Sequence, residues 1–171
     1  KPVEYPKAGQ PPSVTKIGVI NVITGNKKWM HIPDFTNQDY VPRMEWAANS
    51  TELFIETLNR KQNEAGVFLC NIATGIAKNI YREKNDTWIE AKDRWSDNAA
   101  GDEWIEGGKR FLWVSEKDGW RHIYSISRNG KSILLLTQGN YDILSVKAID
   151  EAGGFVYFMA SPANATQSYL Y

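Results

Sequence analysis

The sequence predicts an all-β chain of stacked four-stranded antiparallel sheets, and three observations carry that prediction. The first is residues 111–139, FLWVSEKDGWRHIYSISRNGKSILLLTQG. Residues 111–116 and 122–127 alternate with the period of two that a half-buried strand requires. Asp118-Gly119 and Asn129-Gly130 follow them as turn formers that admit positive φ, so the stretch reads as three strands of one meander. The second is repetition. Residues 17–25 (IGVINVITG) overlay residues 67–75 (VFLCNIATG) at a spacing of 50, residues 122–130 (HIYSISRNG) follow at a further 55, and residues 169–171 begin a partial copy. The third is the surroundings of the copies. Shorter or more polar strands follow them at 29–32, 76–81 and 132–136, and strand pairs lie between them at 41–46 with 53–58 and at 143–149 with 155–160. Four strands per period of roughly 50 residues is the pattern of a β-propeller blade, because a lone meander cannot bury both faces without stacked neighbours. A β-sandwich has similar strands but no reason to recur at this longer period.

Taken in order, residues 1–12 (KPVEYPKAGQPP) hold 4 of the 7 prolines and form an extended connector, since proline blocks helix and central strand alike. Residues 13–32 supply the outer two strands of a blade. Residues 39–82 and 86–138 each make a full blade, the second with its inner strand near residues 87–90 (TWIE), and residues 141–171 make a partial one. The expected fold is therefore a partial β-propeller of about three four-stranded antiparallel blades, incomplete at both ends. Two details follow. Asp118-Gly119 should form a two-residue type I′ turn with positive φ at both positions. The end sheets should leave Ile17, Val19 and Val22, and Val156, Phe158 and Leu170, uncovered.

Composition excludes several functions. The chain carries 20 Lys and Arg against 20 Asp and Glu, and no basic run, so nucleic acid has no electrostatic footprint to bind. No apolar run approaches the roughly 20 residues of a membrane-spanning helix, and no signal-peptide pattern opens the sequence. A single cysteine, Cys70, sits on an apolar strand and reads as a small buried hydrophobe. The 7 Trp and 8 Tyr fall mostly on strands, where they pack between sheets. No metal or cofactor is expected. The acids of residues 91–109 (AKDRWSDNAAGDEWIEGGK), including Asp93, Asp97, Asp102, Glu103 and Glu106, follow no calcium-loop spacing. Three sequons, at Asn49, Asn85 and Asn164, lie in or beside turns where a glycan could be carried.

YPKAG at residues 5–9, the alternating strand ending Asn21-Val22, SEKDGWRHIY at 115–124 and LLTQGNYDI at 135–143 together resemble the propeller of the dipeptidyl peptidase IV family, in the prolyl oligopeptidase superfamily of serine peptidases. The resemblance implies an N-terminal propeller covering a C-terminal α/β-hydrolase domain of the same polypeptide, with the peptide substrate between them. It places this chain in the second half of the propeller, and implies a periplasmic or extracellular setting and a homodimeric parent. The acidic pair by which the family holds the substrate amino terminus would precede Lys1, and Glu4 matches no such motif.

No G-x-S-x-G elbow occurs, and His31 and His122 have no serine in a nucleophile setting, so no catalytic residue is expected here. The long connection at 91–109 offers the only substrate-binding candidates, Arg94 and Trp95, which would reach the central channel. The alternative is a solvated loop with Trp104 and Ile105 joining the next sheet. The expected function is thus the non-catalytic propeller portion of an exopeptidase that removes N-terminal Xaa-Pro or Xaa-Ala dipeptides, serving as gate and chamber wall. The alternative is a stand-alone propeller that binds a protein or ligand without enzymatic activity.

Overall fold

A computed structural model describes residues 9–90 and 104–171. Thirteen strands form four antiparallel sheets among them. β1 (Gly18–Ile20) pairs with β2 (Lys27–Trp29) as a two-stranded ribbon. The second sheet is a meander of β3 (Tyr40–Trp46), β4 (Glu52–Leu58), β5 (Glu64–Asn71) and β6 (Ala77–Lys84). The third is β7 (Trp104–Ile105), β8 (Arg110–Ser115), β9 (His122–Ser127) and β10 (Ile133–Leu135), and the fourth is β11 (Ile143–Asp150), β12 (Phe155–Ala160) and β13 (Tyr169–Leu170). No helix occurs among the described residues. The chain is a partial β-propeller.

The sheets stack face to face in chain order, and each interface has its own core. Ile17 and Met30 of the ribbon meet Leu53, Ile55, Phe68, Cys70 and Ala77 of the second sheet. Phe54, Val67, Leu69, Ile80 and Tyr81 of that sheet meet Trp104, Phe111, Trp113, Tyr124 and Ile126 of the third. Leu112, Val114 and Ile123 then meet Ile143 and Val146 of the fourth. The middle interface is aromatic, with edge-to-face pairs Phe54–Trp104, Phe54–Phe111 and Tyr81–Trp113 at centroid separations of 5.4–6.0 Å. Edge contacts of this kind add to the area they bury, because ring edges and faces carry opposite partial charge.

Three local expectations are corrected. Residues 87–90 are not a strand. The Asn85 side chain accepts hydrogen bonds from the Thr87 amide and hydroxyl, an Asx turn that follows β6, and Ile89 donates its amide to Gln62 and packs on Leu58 and Ala65. The strand that pairs with β8 is Trp104–Ile105. The Asp118-Gly119 turn is not type I′. Ser115 pairs with His122, leaving residues 116–121 as the loop, and only Gly119 has positive φ there, at 96°. Asp118 instead turns its carboxylate onto His122. At the end sheets, Ile17 is buried, and Val19, Val156 and Phe158 are half-buried against neighbouring sheets. Val22 and Leu170 are exposed as expected, but Ile20, Phe155 and Tyr157 take the other places. A strand presents alternate residues to opposite faces, so a reading one residue out of phase exchanges the buried set for the exposed one.

Candidate functional site

Antiparallel pairing sends the residues between β4 and β5, those after β6, the loop between β8 and β9, and the entry to β11 to one end of the arc. Contacts between sheets fix that placement: Glu83 reaches Ser115, and the Ile143 amide donates to Arg121. At this end lies a cluster of ionisable and aromatic side chains from two sheets. The Glu83 carboxylate, only 8% exposed, accepts hydrogen bonds from Trp113 Nε1 and Ser115 Oγ, both at 2.7 Å, and from the Tyr81 hydroxyl at 3.1 Å. Burying a carboxylate is costly unless its lone pairs are met, and three donors meet them here. Two of those donors belong to the third sheet, so Glu83 joins neighbouring sheets.

The loop of residues 116–121 folds onto this cluster. Its Lys117 amide donates to Ser115 Oγ, and the Lys117 ammonium lies over the Tyr124 ring at 4.0 Å and the Tyr81 ring at 5.7 Å. Burial lowers the Lys117 pKa, against the opposing attraction of Glu83 and Asp118. Burial also tends to raise Asp118, but its interactions with His122 and Tyr124 outweigh that and hold the carboxyl below its ordinary value. Tyr124 is raised, chiefly by burial and then by Asp118. His122 Nδ1 lies 2.9 Å from Asp118 Oδ2, and the ring meets Tyr141 edge-on.

Ser115, His122 and Asp118 invite comparison with a nucleophile triad, and the geometry refuses it. Ser115 and His122 are cross-strand partners, but Ser115 gives its hydroxyl hydrogen to Glu83. Both are buried, at 4% and 2% exposure, so no substrate carbonyl reaches them. A triad needs the base hydrogen-bonded to an accessible nucleophile. His31, the other histidine, is exposed and uses its backbone in a bridge to Ile76. Arg94 and Trp95 lie outside the described residues. No group of three or more His, Cys, Asp or Glu is arranged to hold a metal among the described residues, and no helix there is long and apolar enough to cross a membrane.

Sequence reasoning passed over Glu83, Tyr81, Trp113, Ser115 and Lys117. The available signal was weak: a lone acid in the polar strand NIYREK. Its inward position depends on a bulge. Val67 pairs with Tyr81 and Phe68 with Asn79, so Ile80 is an extra residue that shifts the alternation of β6.

Comparison with known proteins places this architecture. The whole chain, residues 1–171, matches the family described as the dipeptidyl peptidase IV N-terminal region. A probable dipeptidyl peptidase 4 of Emericella nidulans is 24% identical over 180 residues, covering 99% of this chain and 22% of the relative. The inactive dipeptidyl peptidase 10 of Mus musculus is 29% identical over 182 residues, covering 100% of this chain and 22% of the relative. Among solved structures, the crystal structure of Porphyromonas gingivalis dipeptidyl peptidase 4 matches with a TM-score of 0.85 at 29% identity, over 98% of this chain and 23% of that one. This chain thus spans 22% of the length of each of these two curated relatives.

Proposed function

Because the chain belongs to the dipeptidyl peptidase IV N-terminal region family, we propose that it is the non-catalytic propeller portion of a serine exopeptidase that removes N-terminal Xaa-Pro or Xaa-Ala dipeptides. The observation that carries this reading is the family match across all 171 residues together with the fold match to a dipeptidyl peptidase 4. In this reading the α/β-hydrolase domain of the same polypeptide supplies nucleophile, base and oxyanion hole. The propeller walls and gates the chamber, with the end that bears the Glu83 cluster turned toward it. Arg94 and Trp95 reach into that chamber and hold the peptide, the parent is a homodimer, and it works in the periplasm or outside the cell.

The experiment is a steady-state assay of the full-length parent on Xaa-Pro chromogenic substrates, beside the isolated chain. The parent turns over and the isolated chain does not, since loss of an oxyanion hole alone is worth about 10² to 10³ in rate. Turnover by the purified chain that survives a serine-directed inhibitor control refutes the placement. Arg94→Ala and Trp95→Ala in the parent raise KM and leave kcat near its original value; unchanged kinetics remove both from the chamber. A second reading has its own observation: the mouse relative, at 29% identity, carries the word "inactive" in its name. A parent with no turnover and an intact fold selects that reading, a propeller that binds without catalysis.

A further inference from the structure

The Lys117 side chain leaves its own loop and crosses to the interface of the second and third sheets. Its ammonium lies 4.0 Å from the centre of the Tyr124 ring of β9 and 5.7 Å from that of the Tyr81 ring of β6, and the Glu83 and Asp118 carboxylates attract it. An ammonium carries three N–H donors, yet among the described residues this one has no hydrogen bond and no ion pair. Glu83 is already committed to Trp113, Ser115 and Tyr81. The group is therefore held by the negative faces of two rings and by the longer-range pull of two carboxylates. Burial opposes that pull and lowers the Lys117 pKa.

The walls of this recess are fixed without Lys117. Tyr81 donates its hydroxyl to Glu83 at 3.1 Å and meets Trp113 edge-on at 5.4 Å. Tyr124 is 4% exposed and pairs across the strands with Trp113. Glu83 accepts from Trp113 Nε1 and Ser115 Oγ, and Asp118 is tied to His122 Nδ1 at 2.9 Å. None of these contacts involves the Lys117 side chain, so the recess keeps its shape when the lysine withdraws. A site ordered beforehand loses less freedom on binding. Its rings and carboxylates read a positive charge on a slim alkyl stem, and that description fits more than one ligand.

Lys117 is also the residue that carries its loop to the second sheet. Elsewhere the loop is bonded to itself, to its own strands and to the fourth sheet: the Lys117 amide donates to Ser115 Oγ, the Gly119 amide to the Glu116 carbonyl, and the Arg121 amide to Asp142 Oδ1. Trp120, 39% exposed, lies in the same loop.

We propose that Tyr81, Tyr124 and Glu83 form a recognition site for a primary ammonium group on a slim alkyl stem, that Lys117 fills it as a tethered ligand, and that an external ammonium taking its place releases the loop of residues 116–121 from the second sheet. The inference goes beyond the exopeptidase reading and holds whatever the parent hydrolyses. The tether sets the terms of the competition. A group on a short flexible linker has an effective concentration of the order of mM, and the apparent dissociation constant of an external ligand rises by the inverse of the fraction of time that the site stands open. Truncating Lys117 removes that handicap.

The test uses the full-length parent and its Lys117→Ala variant, with n-butylammonium as the probe, since it is the lysine side chain cut from its backbone, and n-butanol as the uncharged control at the same pH and ionic strength. Hydrogen exchange read by mass spectrometry follows the peptide that spans residues 116–121, and the thermal midpoint follows binding. In the unsubstituted parent, butylammonium speeds exchange of the loop to a plateau and butanol does not. Lys117→Ala exchanges at the plateau rate without ligand, and butylammonium raises its thermal midpoint at concentrations about tenfold or more below those that open the parent loop. Loop exchange in Lys117→Ala equal to that of the parent overturns the proposal, as does an equal response to butanol, a variant that butylammonium does not stabilise, or equal affinity of variant and parent. A parent loop that stays closed at about a hundredfold the concentration that stabilises the variant overturns it too. If Lys117→Ala does not fold, the titration of the unsubstituted parent decides alone: opening by butylammonium and not by butanol supports the site, and any other result overturns it.

Discussion

Gly130→Ala is the sharpest test of how neighbouring sheets are held in register. Gly130 sits in the turn between β9 and β10 at a φ of 75°, and Gly119, in the loop between β8 and β9, sits at 96°. Both backbones are left-handed, so alanine costs each about 1 kcal/mol in conformational strain. Beyond that the sites differ. A Cβ on Gly119 meets nothing within 4 Å, but one on Gly130 lies 1.8 Å from the Ile80 carbonyl oxygen and 2.8 Å from its carbon. Ordinary contact begins near 3.4 Å, so turn and strand must part by roughly 1.6 Å, and overpacking of this kind typically costs a further 1–3 kcal/mol. Ile80 has little freedom to yield. It is the bulge residue of β6, and the Asn79 side chain spans the bulge by donating to the carbonyls of Val67 and Tyr81. Gly130→Ala should therefore destabilise by about 2–4 kcal/mol and Gly119→Ala by about 1 kcal/mol. With a urea m-value near 2 kcal/mol/M, the midpoints fall by about 1–2 M and about 0.5 M respectively. Equal shifts for the two variants would refute the close approach of the sheets.

Glu83→Gln replaces an acceptor of three hydrogen bonds by a group that must turn an NH₂ toward one of its donors, and should destabilise by about 1–3 kcal/mol with a change in Trp113 fluorescence; an unchanged midpoint and spectrum would show that the carboxylate is not needed between the sheets. Asp118, with its pKa held below the ordinary carboxylate value, contributes its full stabilisation above that value and loses it as pH falls through the lowered one. Asp118→Asn should thus flatten the acid limb of a stability-against-pH curve and leave its shape above neutrality unchanged; an identical acid limb would contradict the Asp118–His122 pairing. Cys70 is fully buried, and burial, with a smaller push from Glu52, raises its pKa to about 12. A disulfide reagent at pH 8 should modify it only after unfolding, and rapid native modification would mean that the first interface opens.

The repeat, the alternation and the turn residues are written in short-range sequence, and most strands follow from them. His122–Ser127 and Phe155–Ala160 occupy the residues that alternation marks. What escapes is phase. Alternation from Ala77 would put residues 77, 79, 81 and 83 on one face, yet Ala77 packs toward the ribbon while Tyr81 packs toward the third sheet. The bulge at Ile80 makes the difference, and no residue type announces it. Thr87 to Glu90 mislead in another way. Trp88 and Ile89 have strand-forming side chains, but the Asx turn at Asn85 and the bond from Ile89 to Gln62 hold the segment across the end of the second sheet. Local propensity yields there to a tertiary contact.

The candidate site inherits this dependence on phase. With Glu83 turned to the opposite face, Trp113 and Ser115 would lose the acceptor that their hydrogens reach, and Lys117 would lose the carboxylate that opposes the effect of its burial. At the other end of the same interface, Arg128 donates to the carbonyls of Ala47 and Gly108 and to the Glu52 carboxylate, and lies over the Trp104 ring at 4.6 Å. Two charged ties thus bracket an aromatic core. Apolar contacts tolerate small slides, because burial is roughly proportional to area and indifferent to direction, whereas a slide by one residue would strand both charges without partners. The aromatic core therefore supplies most of the attraction between the second and third sheets, and Glu83 and Arg128 select its register. The loop of residues 116–121 is positioned by a neighbouring blade as much as by its own strands. A substitution on β6 can thus move the candidate site without touching it.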